Sequence, residues 1–178
     1  MCRYAMTVYK SHYACFECRK TFKRRLLKDV NRELDYEDSV EAKCPQCGGL
    51  MADMGLDFES PKMNDAKAWE HLRDLYSVGI TFHSCGCSGP GYIPRDKEAL
   101  IRYFECIKAD YLSNLEFWRN RVEPTNKKER LKDSDKNWWE LVRVANDYKK
   151  RVVTNQEGFD FWLNRVKEVE AKLKTLTS

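Results

Sequence analysis

Apolar positions recur with a helical period over most of the C-terminal half of the chain. Leu100, Phe104, Ile107, Tyr111, Leu115, Trp118 and Val122 are spaced 4, 3, 4, 4, 3 and 4. That is the seam of one long helix, about 26 residues or ~39 Å at ~1.5 Å per residue. Glu123-Pro124-Thr125-Asn126 breaks the pattern. Lys127, Lys128, Arg130 and Lys132 then read as a basic loop or a short turn of helix. Ser134 is the expected cap of a second helix with the face Trp138, Leu141, Val142, Ala145, Tyr148 and Val152. Lys149-Lys150-Arg151 falls at its C-terminal end, where cations favour the helix dipole. Thr154 with Glu157 forms a capping box for a third helix along Phe159, Trp162, Val166, Val169, Leu173 and Leu176. Short connections predict antiparallel neighbours, so residues 96–178 should form a three-helix bundle or a helical hairpin with coiled-coil-like seams. Trp139 and Phe161 fall off the seams, so some aromatics should face outward and offer a docking face to a protein partner.

Upstream the pattern changes. Tyr4, Met6, Val8 and Tyr13 alternate weakly like a strand, and Leu50 to Gly55 reads as another. Asn64 or Asp65 can cap a helix through Tyr76 with Trp69, Leu72, Leu75 and Tyr76 on its apolar face. Ile80 and Phe82 alternate again, and a glycine- and proline-rich turn follows to Arg95. The predicted class is α+β: a small antiparallel sheet at residues 1–59, a connecting helix and strand-turn at 60–95, and helices at 96–178.

The chemistry that changes this picture is Cys15-Phe16-Glu17-Cys18 and Cys44-Pro45-Gln46-Cys47, the second pair followed by Gly48 and Gly49. Two matched Cys-x-x-Cys pairs are the sequence form of a four-thiolate zinc site. Four thiolates close a tetrahedral shell and leave no position for water, so one structural zinc is expected at Cys15, Cys18, Cys44 and Cys47. The sheet therefore reads as a zinc ribbon. Its intervening segment, Arg19 to Lys43, is 25 residues long and should hold a hairpin with an extended tip.

That segment segregates its charge. Arg19, Lys20, Lys23, Arg24, Arg25 and Lys28 contain no acid among them, whereas Asp29 to Glu41 holds six acids and one base, Arg32. The basic strand can bind phosphates, with Phe22 as a stacking platform. It can equally pair with the acidic return arm across a hairpin. A second metal site is a candidate at His83, Cys85 and Cys87, whose alternation places them on one face of a strand. His71, Cys106, His12 or Cys2 would complete it. The plainer reading, which we prefer, is a glycine-rich turn with Cys as a small buried residue.

The chain has 178 residues and a net charge of +4, too small by itself to demand a nucleic-acid partner. No apolar run approaches a membrane span, and no signal region opens the chain. Eight Cys in metal spacing suit a reducing cytosol better than a disulfide framework. There is no phosphate loop and no HExxH, so an enzyme is the minority expectation.

The motifs also bear a family likeness. Cys15–Cys18, Cys44–Gly49, Met54-Gly55-x-x-Phe58-x-x-Pro61-Lys62, Trp69, Phe82-His83-x-Cys85 and Cys87-x-Gly89-Pro90-Gly91-Tyr92-x-Pro94-Arg95 resemble a family of small uncharacterised bacterial zinc-ribbon proteins. The resemblance covers residues 13–95. It implies zinc at Cys15, Cys18, Cys44 and Cys47 and supplies no activity. The resulting expectation is a zinc-stabilised adaptor. It would meet RNA, DNA or a nucleoprotein machine of transcription or translation through the ribbon. The alternatives are a protein-binding or inhibitory module, and a metal or thiol enzyme at His83, Cys85 and Cys87.

Overall fold

The computed structural model describes residues 10–25, 42–84, 89–149 and 152–178. The chain is α+β, a three-stranded antiparallel sheet followed by helices. It divides into two compact units, Met1–Leu100 and Ile101–Ser178.

The first unit is built on β1 (Lys10–Cys15), β2 (Lys20–Arg25) and β3 (Ala52–Gly55) in the order β2-β1-β3. Cys15 pairs with Lys20 and Tyr13 with Phe22, so the first Cys-x-x-Cys is the turn of the β1–β2 hairpin. The β1–β3 pairing shifts register between His12 and Tyr13. The expected strand at Tyr4, Met6 and Val8 lies outside the described residues, as do Lys28, the whole acidic arm and the tip of the long hairpin.

Helix α1 (Ala66–Ser77) starts where Asp65 accepts from the Ala68 amide at 3.1 Å, and it buries Trp69, Leu72 and Leu75. Tyr76, expected on the same face, is exposed. The Phe16 ring of the first Cys turn lies 5.9 Å from the Tyr76 ring and 6.5 Å from that of Trp69. The segment after α1 is not a strand, but it is tied to the sheet: the Phe82 amide donates to Met54 O at 2.8 Å and the Asp57 amide to Phe82 O at 3.2 Å. Gly55 makes that approach feasible. Its φ is +92°, and a Cβ there would stand 2.6 Å from the His83 nitrogen.

The second unit holds most of α2 (Lys97–Asn120), then α3 (Lys127–Lys136), α4 (Trp138–Asp147) and α5 (Asn155–Thr177). Leu115 and Trp118 of α2, Val144 of α4, and Phe161, Trp162 and Val166 of α5 share one core with Val153. The predicted α2 seam holds as far as Trp118 and then fails, because the helix ends at Asn120 and Val122 is 88% exposed.

Two expectations are corrected. Of the two readings of residues 127–132, the helical one holds: they open α3, which is capped by Asn126 and buries nothing. Ser134 consequently lies inside α3, and Asn137 begins α4. The α4 face is also rotated. Val144 is fully buried while Trp138 and Val152 are half-exposed or more, so the even spacing of apolar residues there reflected two partly wetted sides. The Thr154–Glu157 capping box is formed as expected. Phe161, off the predicted seam, is buried beside Trp162, and Gly158 lets them approach α2: a Cβ on it would lie 2.0 Å from the Trp118 ring.

Candidate metal centre

The two Cys-x-x-Cys turns converge. The four Sγ atoms of Cys15, Cys18, Cys44 and Cys47 all lie within 4.8 Å of one another. Cys15 and Cys47 are 3.6 Å apart, and Cys18 and Cys44 are 3.9 Å apart, far beyond a disulfide bond. A tetrahedral ion with metal–sulfur bonds of ~2.3 Å needs sulfurs ~3.8 Å apart. The donors are all soft, the spacing matches, and four of them can hold a metal such as zinc. It is the one such group of His, Cys, Asp and Glu among the described residues.

Local backbone chemistry builds each half. In the second turn, Cys44 N donates to Gly49 O at 2.8 Å and Gly48 N to Cys44 O at 2.9 Å, while Lys43 bridges Leu50. Gly48 takes a φ of +75°, which glycine adopts without strain. The first turn needs the same geometry, because Arg19 stands directly after Cys18 with φ +51°. There an arginine carries the left-handed backbone at a steric cost.

The thiols are electrostatically unequal. The Cys47 and Gln46 amides hold the Cys44 thiol down at about 6, against the opposing pull of burial. Competition with the Cys47 sulfur, then burial, pushes Cys18 up to about 12. Burial raises Cys15 as well, and its backbone partner, the Cys18 amide at 3.5 Å, opposes this. Metals bind thiolates, so filling this site would release protons.

The basic strand is partly committed to this centre. Lys20 Nζ donates to Gln46 Oε1 at 2.6 Å and Arg24 Nη2 to Lys43 O at 2.7 Å, so both reach back to the second turn. Phe22, expected as a stacking platform, is half-buried and packs with Tyr13 and Ala42 against Cys15, Cys44 and Met51. Lys23 projects on the opposite face of an edge strand and is exposed. Lys28 and the acidic arm fall outside the described residues.

The His83, Cys85, Cys87 candidate falls partly there too, since Cys85 and Cys87 are not described. His83 itself is engaged at both ring nitrogens: Nε2 meets Asp53 Oδ1 at 3.5 Å and Nδ1 the Thr81 hydroxyl at 3.0 Å. The Asp53 carboxylate also accepts from the Ser11 hydroxyl and from the Gly55 amide at 3.1 Å. This raises the His83 pKa, chiefly through the hydrogen bond to Asp53. Two of the ligands considered as completing the site also have other partners. His12 Nδ1 lies 3.2 Å from Gly55 O and His71 Nε2 2.8 Å from Pro94 O. Cys106 is an exposed free thiol.

Sequence reasoning missed Phe16 and Asp53. Phe16 occupies a position within Cys-x-x-Cys that any residue can fill, and Asp53 sits in a strand that reads as merely alternating. No described helix is long and apolar enough to cross a membrane. The chain matches no protein-family model, no curated protein and no solved structure.

Proposed function

We propose that this protein is a zinc-stabilised binding module whose N-terminal ribbon contacts nucleic acid or a nucleoprotein assembly. The observation that carries the reading is the convergence of four thiol sulfurs within 4.8 Å, a donor set that closes around one zinc. A closed shell offers a substrate nothing, so the metal's work is structural and the protein acts through its surfaces. Catalysis is no part of this reading. The family resemblance over residues 13–95 belongs to the same proposal, as does an antiparallel bundle for the helical unit, which the shared Trp118, Val144 and Trp162 core supports.

The nucleic-acid contact rests on an exposed edge strand rich in cations. Lys20 and Arg24 shape the second Cys turn, so the free charge at its described positions centres on Lys23, with Arg19 in the turn before it. The experiment is binding of single-stranded and duplex oligonucleotides across a salt series. Affinity should fall steeply with salt, and Lys23→Glu should reduce it about tenfold and flatten the salt slope by about one unit. Binding that ignores both salt and Lys23→Glu sinks the reading. A protein-binding role is favoured by a separate observation, the exposure of Trp138 and Trp139 on α4.

A further inference from the structure

The helical unit carries a groove that the ribbon reading does not use. It holds about 210 Å³ and is lined by Trp138, Leu141, Val142 and Ala145 of α4 with Val152, and by Arg130, Asp133 and Ser134 of α3 with Arg121. Its volume falls below the ~300 Å³ at which small-molecule sites begin, so it suits one or two anchoring side chains of a larger partner. Trp138 is 50% exposed and Val152 57%, which leaves apolar surface wet at a place where α4 could have buried it.

Helix α3, which contributes to the groove, carries five cations and three acids. It reads Lys-Lys-Glu-Arg-Leu-Lys-Asp-Ser-Asp-Lys, and two of its three acids are engaged within the fold. Glu129 accepts from Thr125 at 2.9 Å in the cap of α3. Asp133 is taken by Arg121, at 2.6 Å, and by Asn137, at 2.8 Å. Lys127, Lys128, Arg130, Lys132 and Lys136 make no ion pair among the described residues. The apolar wall faces Arg130, and the one acid in the lining, Asp133, is already paired with Arg121.

We infer that this groove docks an acidic amphipathic helix of a protein partner, whose apolar anchors insert beside Trp138 and whose carboxylates meet the α3 cations. Helix-in-groove recognition needs these two elements, anchors at helical spacing and a complementary rim. A second copy of this chain is a poorer occupant. A two-fold contact would set the same row of cations against itself. A single-stranded nucleic acid needs open ring faces for stacking, whereas Trp138 and Trp139 meet edge to face at 4.6 Å and Trp138 also lines the groove wall.

The test uses the full-length, metal-loaded protein and three probes. The first is a synthetic helical peptide with Leu at i, i+3, i+4 and i+7 and Glu elsewhere. The second has Lys in place of Glu, and the third is oligouridylate. The acidic peptide should bind at least tenfold more tightly than the basic one, with affinity falling as salt rises. Trp138→Ala should weaken it about tenfold and Arg130→Glu about fivefold. Leu112→Ala, exposed on α2 and outside the groove lining, should leave it within twofold. Circular dichroism on each variant establishes that the fold persists, and Val142→Glu serves if Trp138→Ala unfolds. Equal binding of both peptides, indifference to Trp138→Ala in a folded protein, or binding of oligouridylate alone overturns the inference. A concentration-dependent dimer that Trp138→Ala abolishes also overturns it, in favour of a second copy.

Discussion

The two units solve the same stability problem by different means. In the N-terminal unit one cluster is the four thiols, with Phe22, Tyr13 and Met51 around them, beside a sheet of three short strands and the apolar face of α1, Trp69, Leu72 and Leu75. Little apolar surface surrounds the thiols themselves, so an ion is what would close the two Cys turns on each other. In the C-terminal unit the centre is aromatic: Trp118, Phe161 and Trp162 with Val144 and Val166, and no cluster of metal donors among the described residues. Arg121 secures one end of that unit. Its guanidinium binds the Asp133 carboxylate, donates to Asn155 at 2.5 Å and lies over the Trp118 ring. The comparison teaches that one chain can hold two kinds of order that respond to different insults.

The largest expected effect separates them. Chelation, or Cys44→Ser, should unfold the ribbon, because structural zinc supplies on the order of 10 kcal/mol to small modules of this kind. Helical ellipticity, which comes mainly from residues 97–177, should survive. Joint loss of both in a chelator titration followed by circular dichroism breaks the comparison.

Arg121→Ala should do the converse, lowering helical stability by about 2 kcal/mol by leaving the part-buried Asp133 without its charged partner, with zinc content unchanged. The same pair sets a pH dependence. Arg121 holds the Asp133 carboxyl below its usual range. A depressed folded pKa adds stability above the unfolded value of ~3.9 and loses it as pH falls through the folded one. Thermal melts of the helical unit should therefore be level from neutrality to about pH 5 and decline below about pH 4. Asp133→Asn should start lower and decline less.

Smaller again is Gly158→Ala, which forces a methyl into the Trp118 ring and should cost about 1–3 kcal/mol in urea unfolding of the helical unit alone. Smallest is Arg19→Gly, a gain of up to about 1 kcal/mol in the ribbon, read as slower zinc loss to a chelator. A neutral result there means that Arg19 makes a contact worth its strained backbone.

What could be read from the sequence follows from what each feature needs. Metal ligands need particular atoms at particular spacings, so Cys15, Cys18, Cys44 and Cys47 announce themselves. The long seams of α2 and α5 do so by period, and Thr154 with Glu157 by its cap. Helix α3 could not announce itself that way. It buries nothing, so it has no apolar period, and only the Asn126 cap and its helix-forming residues mark it. Gly158 and Phe161 belong to a close helix approach, a property of two segments at once. Phe16 is similar, a free position in its own motif that becomes a joint only when α1 lies beside it. Lys20 and Arg24 look like surface charge along the strand, yet they are fastened to a turn more than 15 residues away.

The central claim is that one zinc, held by these four thiols, folds the ribbon. Its most direct test is elemental analysis of the purified protein beside Cys44→Ser. The account predicts one zinc per chain in the native protein and none held stably by the variant. A native protein without metal after purification under reducing, chelator-free conditions, or a variant that keeps its full zinc, contradicts it.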